Sequence, residues 1–345
     1  MKRAAESCSQ AKKPRLEGED PANHSRSAEK LALEATNPHP RDTAIRFYET
    51  LGLRSHIYLV DAPAHVGWSP GSEWPAACLS ATGVKKLVVP EFDADAAIAG
   101  MRNGKRWPRK EYQHPDGTVM SDAEIKAAWD ANRDEKARRG THVHSYMEKF
   151  LNRIDEPFDP DHPWSVHIQV GQRWLEQIKE RGWKPYRSEW VMWLPLADPG
   201  VHLWHLHSSG QVFRYAPILS GSVDGLFVDD KGKFHLVDFK CCKTKGLKFA
   251  FNKEKMKAPM ERLEKTKFNE WRLQAAVYDH ILRTKYGIKC ATRRMVVLNA
   301  DEGPEPQEFM MPKLDITPLL DKLSGIFGHG GPMPAWAVKE EKGED

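Results

Sequence analysis

A polar turn joins two short apolar segments in the middle of the chain, and this pattern predicts a β-hairpin. The first segment, residues 221–228, reads GSVDGLFV, and the second, residues 234–240, reads FHLVDFK. The Asp-Asp-Lys-Gly sequence between them has the residue types that form tight turns. Because side chains alternate between the two faces of a strand, Asp238 and Lys240 share one face. The hairpin therefore places an aspartate and a lysine beside Asp224 of the neighbouring strand.

Two carboxylates and a lysine at the edge of a sheet can form a site for a divalent cation. Asp224 and Asp238 supply hard oxygen ligands, which suit Mg²⁺ or Mn²⁺ better than Zn²⁺. Lys240 would orient or deprotonate an attacking water, or stabilise charge on a phosphate. The alternative is a surface hairpin with an ordinary salt bridge, because an Asp-x-Lys triplet at a strand end is common by chance.

Three further segments bear on this choice. Residues 140–154 have apolar side chains at helical spacing, and His144 lies at the edge of that apolar stripe. A strand predicted at residues 186–194 carries Glu189. A helix predicted around residues 271–278 places Gln274 and Tyr278 on one face, one turn apart. Each of these residues alone also fits an ordinary structural role.

In this order, the segments resemble the PD-(D/E)xK nuclease superfamily. The similarity is closest to its RecB-type exonuclease branch, which includes the mitochondrial genome maintenance exonucleases. The shared motifs are Gly-Thr-x-x-His at 140–144, Val-Asp-Gly at 223–225, Val-Asp-Phe-Lys at 237–240 and Gln-x-x-x-Tyr at 274–278. The segment Leu79–Val84 resembles the Ser-Val-Thr segment that opens many such domains.

The resemblance implies a role for each matched position. The groups that would bind the metal ion are His144, Asp224, Asp238 and the carbonyl of Phe239. Lys240 would be the catalytic lysine, acting together with the two aspartates.

The same resemblance assigns roles to three other residues. Gln274 and Tyr278 would shape the site and contact nucleic acid. Glu189 lies where some members place an additional acidic residue, so it is a further catalytic candidate.

The function that follows from the resemblance is metal-dependent DNA hydrolysis. The expected protein is an exonuclease that uses Mg²⁺ or Mn²⁺ in DNA replication, recombination or repair, with single-stranded or duplex DNA ends as its partner. Two alternatives stay open: a structure-specific or restriction-like endonuclease, and a nucleic-acid-binding protein without catalysis. An enzyme acting on a small phosphoester is disfavoured, because the sequence has no G-x-x-x-x-G-K-[ST] phosphate loop. The motifs leave the cleavage polarity and the choice of DNA or RNA open.

The fold implied by the resemblance is an α/β, restriction-endonuclease-like domain with a mixed central sheet flanked by helices. We expect four stretches to form strands: 186–194, 223–228, 234–240 and 293–299. A capping box, Ser121-x-x-Glu124, predicts the start of a helix running towards Arg138. The expected organisation is a disordered basic arm at 1–40, a helical N-terminal part at 41–139, a catalytic core at 140–327 and a flexible tail at 328–345.

The cysteines argue against an iron–sulfur cluster. Several relatives hold such a cluster with one early cysteine and three that follow the Gln-x-x-x-Tyr helix. Here only Cys290 follows that helix, so we predict no iron–sulfur cluster. The total of five cysteines is odd and lacks the spacing of a disulfide framework, which fits a reducing compartment.

Two basic segments are candidates for contact with a nucleic-acid backbone. Residues 102–112 interleave basic and aromatic side chains, among them Arg106 and Trp107. Residues 240–268 contain ten Lys or Arg against three Glu, a local balance of +7, and include Lys243 and Lys245. Solvated loops with ordinary surface lysines are the alternative for both segments.

Composition and the termini indicate an intracellular protein. The chain has 345 residues and a formal net charge of +4, and no apolar run reaches the roughly 18 residues that a membrane span needs. We therefore expect no membrane partner. The sequence does not identify a protein partner. The N-terminal arm carries Lys12-Lys13-Pro14-Arg15, which resembles a nuclear import signal; a generic charge cluster is the alternative. In a virus, that compartment would be the host nucleus.

Overall fold

A mixed β-sheet flanked by helices forms the centre of the protein, as the sequence predicts. The structure is a computed structural model. It describes residues 33, 39, 45–48, 57–60, 76–154, 157–196, 203–206, 212–250 and 253–328.

The nine strands of the described chain belong to one sheet. Their bounds are β1 Ile45–Tyr48, β2 Ile57–Val60, β3 Ala76–Ser80, β4 Lys184–Pro195, β5 Leu203–Leu206, β6 Val212–Val228, β7 Phe234–Lys240, β8 Cys290–Val297 and β9 Gln307–Met310. The α-helices are α1 Ala81–Val88, α2 Ala94–Arg102, α3 Asp122–Leu151, α4 Ser165–Glu180, α5 Lys267–Tyr286 and α6 Thr317–Gly328. Single 3₁₀ turns span Lys110–Tyr112 and Ala300–Glu302.

The long strand β6 connects all parts of the sheet. On one edge it pairs in parallel with β3, up to Ser80 opposite Ser220, and then antiparallel with β7 from Gly225 onwards. On its other edge it pairs with β5 and β4. Residues 221–224 therefore lie in a fork, where β3 has ended and β7 has not yet begun to pair with β6.

Apolar side chains on the two faces of the sheet form two cores. Strand β7 shows the division, because Phe234 and Leu236 pack on one face whereas Val237 and Phe239 pack on the other. The first core includes side chains of α1, α5 and α6, and the second includes side chains of α3 and α4. Helices on both faces explain why β7 is almost wholly buried.

Local sequence signals fix several element bounds. Strand β7 has the bounds predicted for it, and the Asp229 carboxylate accepts backbone hydrogen bonds in the turn before it. Ser121 and Glu124 form the predicted capping box. The helix that begins there continues without interruption to Leu151. The proposed boundary at 139/140 thus falls inside one helix, which carries both the capping box and His144.

The N-terminal part contains strands that the sequence pattern did not predict. The range 41–139, expected to be helical, includes β1, β2 and β3 as well as α1 and α2. Within the arm predicted at residues 1–40, the structure describes Leu33, which packs in the second core, and His39, which contacts Tyr186. The basic tetrapeptide at 12–15 and the tail beyond residue 328 lie outside the described residues.

Among the described residues, no helix combines the length and the apolar content that crossing a membrane would require.

Gly221 provides a test of the packing at the fork. A Cβ atom built on Gly221 would lie 2.3 Å from Cε1 of the buried Tyr278 ring. We expect Gly221→Ala to lower the free energy of unfolding by about 1–3 kcal/mol, because the ring must move. Gly100→Ala in α2 is the matched control, since nothing lies within 4 Å of its added Cβ. The control should be neutral or stabilising by about 0.5–1 kcal/mol. Urea unfolding measures both, and equal stabilities would contradict this packing.

Candidate functional site

The hairpin of β6 and β7 brings Asp224, Asp238 and Lys240 together, as the sequence predicts. The ammonium nitrogen Nζ of Lys240 lies 2.6 Å from Oδ2 of Asp238 and 3.9 Å from Oδ2 of Asp224. The Lys240 ammonium also donates a hydrogen bond of 3.1 Å to the carbonyl of Phe239. The lysine is thus surrounded by three of the oxygen groups expected to bind a metal ion.

Helix α3 supplies His144 to this group from the other side. The His144 Nε2 atom lies 3.0 Å from the carbonyl oxygen of Phe239. Its Nδ1 atom lies 3.2 Å from Oε1 of Glu189 and 3.8 Å from Oδ2 of Asp224. His144 therefore contacts two carboxylates and the expected carbonyl ligand at once.

Glu189 reaches the site through an unusual backbone conformation. Ser188 pairs with Gly225 and Trp190 pairs with Val223, so Glu189 lies opposite Asp224 between these two pairs. Glu189 has a φ of 42°, in the left-handed region that costs a non-glycine residue about 1–3 kcal/mol. Such strain concentrates at functional positions. Ser222 donates a hydrogen bond of 3.2 Å to Oε2 of Glu189, which fixes the carboxylate.

The alternation of β6 is broken at Asp224. Val223 and Leu226 both pack in the first core, although residues three apart in a regular strand point to opposite faces. A Cβ on Gly225 would lie 2.7 Å from the Phe227 ring, so glycine is required beside Asp224. The Asp224 carboxylate accepts a 2.7 Å hydrogen bond from the backbone N–H of Phe239. This bond replaces backbone pairing of β6 and β7, which ends at Gly225 and Val237.

The close packing of these charges shifts their pKa values. Burial lowers the pKa of His144, but the carboxylates of Asp224 and Glu189 outweigh it and raise that pKa to about 9. Burial raises the pKa of Asp224, and the Asp238 carboxylate adds to this effect. Burial also acts to lower the pKa of Lys240, but Asp238 and Asp224 reverse the shift and hold it above its ordinary value. Lys240 is therefore a stable cation at neutral pH.

The residues present fit a divalent cation. Asp224, Asp238 and Glu189 contribute three formal negative charges, against one each on Lys240 and protonated His144. Oδ2 of Asp238 is buried and, within the described part of the chain, receives no hydrogen bond of acceptable geometry despite its short ion pair. One ligand atom from each of His144, Glu189 and Asp224 also lies within 4.8 Å of the others. A site rich in carboxylate oxygen with one imidazole suits Mg²⁺ or Mn²⁺.

The predicted Gln274 and Tyr278 lie one turn apart on α5, which packs against the sheet at the fork. The Gln274 side-chain amide donates a 2.8 Å hydrogen bond to the Tyr278 hydroxyl. The Tyr278 ring packs against Gly221 at the fork in the sheet and is only 6% exposed. Tyr278 thus packs against β6, and the contact with nucleic acid expected of it stays a prediction. Gln274 is half-buried and remains a candidate for contact.

Three residues at the site were not singled out from the sequence. Nζ of Lys240 lies 5.8 Å from the centre of the Trp271 ring, which lines the site from α5. Lys85 on α1 lies 3.6 Å from the buried carboxylate of Glu270. Burial lowers the pKa of Lys85, Glu270 opposes this, and the charges of Lys267 and Lys240 lower it further. The pairing of Lys85 with Glu270 joins α1 to α5, and no spacing in the sequence relates these two helices.

The two basic segments differ in their relation to the site. Lys243 and Lys245 are exposed immediately after β7 and its Lys240. Arg106 is also exposed, but its loop packs against the start of α3 through Tyr112, whose hydroxyl accepts a hydrogen bond from Trp129. Trp129 precedes His144 by fifteen residues, or about 22 Å of helix.

The structure does not bring Arg106 and Trp107 to the site. One face of Trp107 stacks on Tyr112 with ring centres 5.9 Å apart, and the Arg102 guanidinium lies 5.0 Å from the ring centre. The guanidinium of Arg102 is itself paired with Asp122. Trp107 therefore packs within its own loop, and its predicted stacking on a base would require rearrangement.

The two cysteines after Lys240 act as packing groups. Burial raises the pKa of Cys241 to about 12 and that of Cys242 to about 11. Both remain thiols at neutral pH and contact the two cores.

The raised pKa of His144 predicts how metal affinity depends on pH. Because the imidazolium must lose its proton before it can bind a metal, affinity for Mn²⁺ should rise as pH increases from 6 towards 9. The increase should approach tenfold per pH unit from this group alone. Calorimetric titration in buffers of different ionisation enthalpy would count the released protons. His144→Ala should weaken binding and flatten the pH dependence, whereas a pH-independent wild-type affinity would contradict His144 as a ligand.

Neither a family model nor a curated protein matches the chain. One solved structure that does match is described as "Crystal structure of SSO0001". Its sequence is 13% identical, and the match covers 58% of this chain and 73% of the other, with a TM-score of 0.26. We infer nothing about this chain from a similarity of that size.

Proposed function

We propose that the protein is a metal-dependent nuclease that hydrolyses phosphodiester bonds at DNA ends. The observation that carries this proposal is the convergence of five ionisable groups from four elements, namely His144, Glu189, Asp224, Asp238 and Lys240. A surface hairpin with an ordinary salt bridge would require neither the strained Glu189 nor the buried carboxylates. The order of these residues also agrees with the motifs of PD-(D/E)xK exonucleases.

Catalysis would combine a metal ion with a fixed ammonium group. His144, Asp224, Asp238 and the Phe239 carbonyl would hold the ion, and Glu189 would join them or orient His144. A bound Mg²⁺ or Mn²⁺ would lower the pKa of water and neutralise charge on the phosphate.

Lys240 would act as a cation in this reaction. In the metal-free protein, Asp238 and Asp224 hold its pKa above the ordinary value, so the side chain is a charged hydrogen-bond donor in this state. Its ammonium lies among the expected metal ligands, and in the reaction it would donate hydrogen bonds to the substrate phosphate. There it would stabilise charge that develops on the phosphate oxygens.

The basic segment after β7 supports a nucleic-acid substrate. Lys243 and Lys245 follow the catalytic lysine directly, and Lys253, Lys255 and Lys257 continue the exposed positive surface. Contacts of this kind go to phosphates and carry no base information, so cleavage would tolerate most sequences. We include in the proposal a role in DNA replication, recombination or repair, and a nuclear location directed by the basic tetrapeptide at 12–15.

Asp238→Ala tests the proposed chemistry. The variant should lose metal-dependent cleavage of DNA while retaining most of its affinity, because the carboxylate serves the metal ion and Lys240 more than the DNA. Asp230→Ala is the matched control, since Asp230 is exposed in the turn of the same hairpin. Cleavage is measured with Mg²⁺ or Mn²⁺, and DNA binding by anisotropy. Unchanged turnover in Asp238→Ala would contradict the assignment of this group as the catalytic site. Binding without cleavage in both wild type and variant would favour a non-catalytic protein.

A second experiment tests whether the basic segment faces the substrate. Replacing Lys253, Lys255 and Lys257 by Ala should weaken binding and reduce the slope of log K against log salt by up to about 2–3. The control replaces Lys179, Lys231 and Lys233, which are also exposed but lie elsewhere, and so removes the same charge. Affinity is measured across a salt series. Equal slopes for the two triple variants would show that the segment does not contact DNA.

A further inference from the structure

Phe249 is an exposed aromatic residue in a basic segment of the chain. Its side chain is 67% exposed, whereas its neighbours Leu247 and Ala250 are buried. Residues 241–253 contain four lysines and neither Asp nor Glu. An aromatic ring held in solvent among lysines has the two features by which proteins bind single-stranded nucleic acid, namely a stacking surface and a positive potential.

The backbone around Phe249 is fixed at several points. The N–H of Thr244 donates hydrogen bonds of 3.0 and 2.8 Å to the carboxylate of Glu302. The carbonyl of Leu247 accepts a 2.9 Å hydrogen bond from the N–H of Phe268, and the N–H of Phe249 closes a turn onto the carbonyl of Gly246. The exposure of Phe249 is therefore a consequence of an anchored loop.

This loop lies close to the proposed active site. Phe268 donates the backbone hydrogen bond to Leu247. It precedes Trp271 by three residues, or about 4.5 Å of helix. Trp271 faces Lys240. Lys248, next to Phe249, places its ammonium 5.0 Å from the centre of the Phe268 ring. The loop that carries Phe249 thus begins at the end of β7 and lies beside the N-terminal end of α5.

A second exposed phenylalanine shows what distinguishes Phe249. Phe92 is 69% exposed, but its sequence neighbours Glu91, Asp93 and Asp95 are acidic. Its ring lies 5.7 Å from that of Trp129, at the start of α3 and far from His144. Acidic side chains around a ring repel a phosphate backbone. Phe92 is therefore poorly suited to bind nucleic acid, although its ring is as exposed as that of Phe249.

We propose that Phe249 stacks on an unpaired base of the substrate strand, so that the DNA entering this site is single-stranded at the point of contact. The inference rests on the proposed nuclease function and specifies the form of its substrate. Loss of one such stack should weaken binding by about 5- to 150-fold.

The test measures binding of a single-stranded oligonucleotide that contains 2-aminopurine at successive positions, with EDTA present to prevent cleavage. Wild type should change the 2-aminopurine fluorescence strongly at one or two positions. Phe249→Ala and Phe249→Leu should abolish that local signal and weaken affinity, whereas Phe249→Trp should restore both. Phe92→Ala is the matched control and should behave as wild type.

The outcomes separate this inference from the proposed function. If wild type binds and cleaves DNA but Phe249→Ala and Phe92→Ala have equal affinity and fluorescence, the stacking inference is wrong. Full retention of binding by Phe249→Leu would also overturn it, because leucine preserves apolar surface without a ring. If wild type neither binds nor cleaves any DNA, the proposed function itself fails.

Discussion

The hydrogen bond from the N–H of Phe239 to the carboxylate of Asp224 is the interaction on which the site depends. Backbone pairing between β6 and β7 ends at Gly225 and Val237, and the Asp224 side chain satisfies the buried N–H beyond that point. The strands can therefore separate without leaving a donor unpaired. This separation contributes to the fork at residues 221–224, where pairing with β3 has ended and pairing with β7 has not begun. Lys240 and His144 lie beside Asp224 in this fork.

The charges in this space stabilise one another only as a set. Buried carboxylates are costly unless they are paired, and here Lys240 and protonated His144 supply the opposing charge. Because these carboxylates raise the pKa of His144, the imidazole favours its protonated form here, and a divalent ion that used it as a ligand would displace that proton. Strain at Glu189 adds to the cost of building the site, and the two cores on either face of the sheet support it.

Local signals in the sequence were sufficient for part of this structure. The bounds of β7, the turn at Asp229 and the capping box at Ser121 depend on neighbouring residues and agree with the structure. Strand β3 depends on pairing with residues 214–220, far along the chain, and its short sequence gave no such signal. Non-local pairing is also why periodicity could not place His144 beside Glu189; only the ordered motifs suggested that these residues meet.

The interleaved aromatic and basic residues illustrate a second limit. At residues 102–112 this pattern suggested a nucleic-acid contact, but the rings of Trp107 and Tyr112 pack on each other and acidic residues lie close by. Residues 241–253 around Phe249 include neither Asp nor Glu, and the ring is exposed. Composition alone did not distinguish these two segments, because the difference lies in which ring faces are already covered.

The central claim is that the Asp224, Asp238 and Lys240 group cleaves DNA from an end with a divalent metal ion. The most direct measurement compares linear single-stranded and duplex DNA, labelled at either end, with a covalently closed circle, in Mg²⁺, Mn²⁺ or EDTA. Wild type should degrade only the linear DNA and only with metal, the label should reveal the polarity, and Lys240→Ala should be inactive. Cutting of the circle would contradict end dependence, and intact linear DNA under every condition would contradict the nuclease assignment.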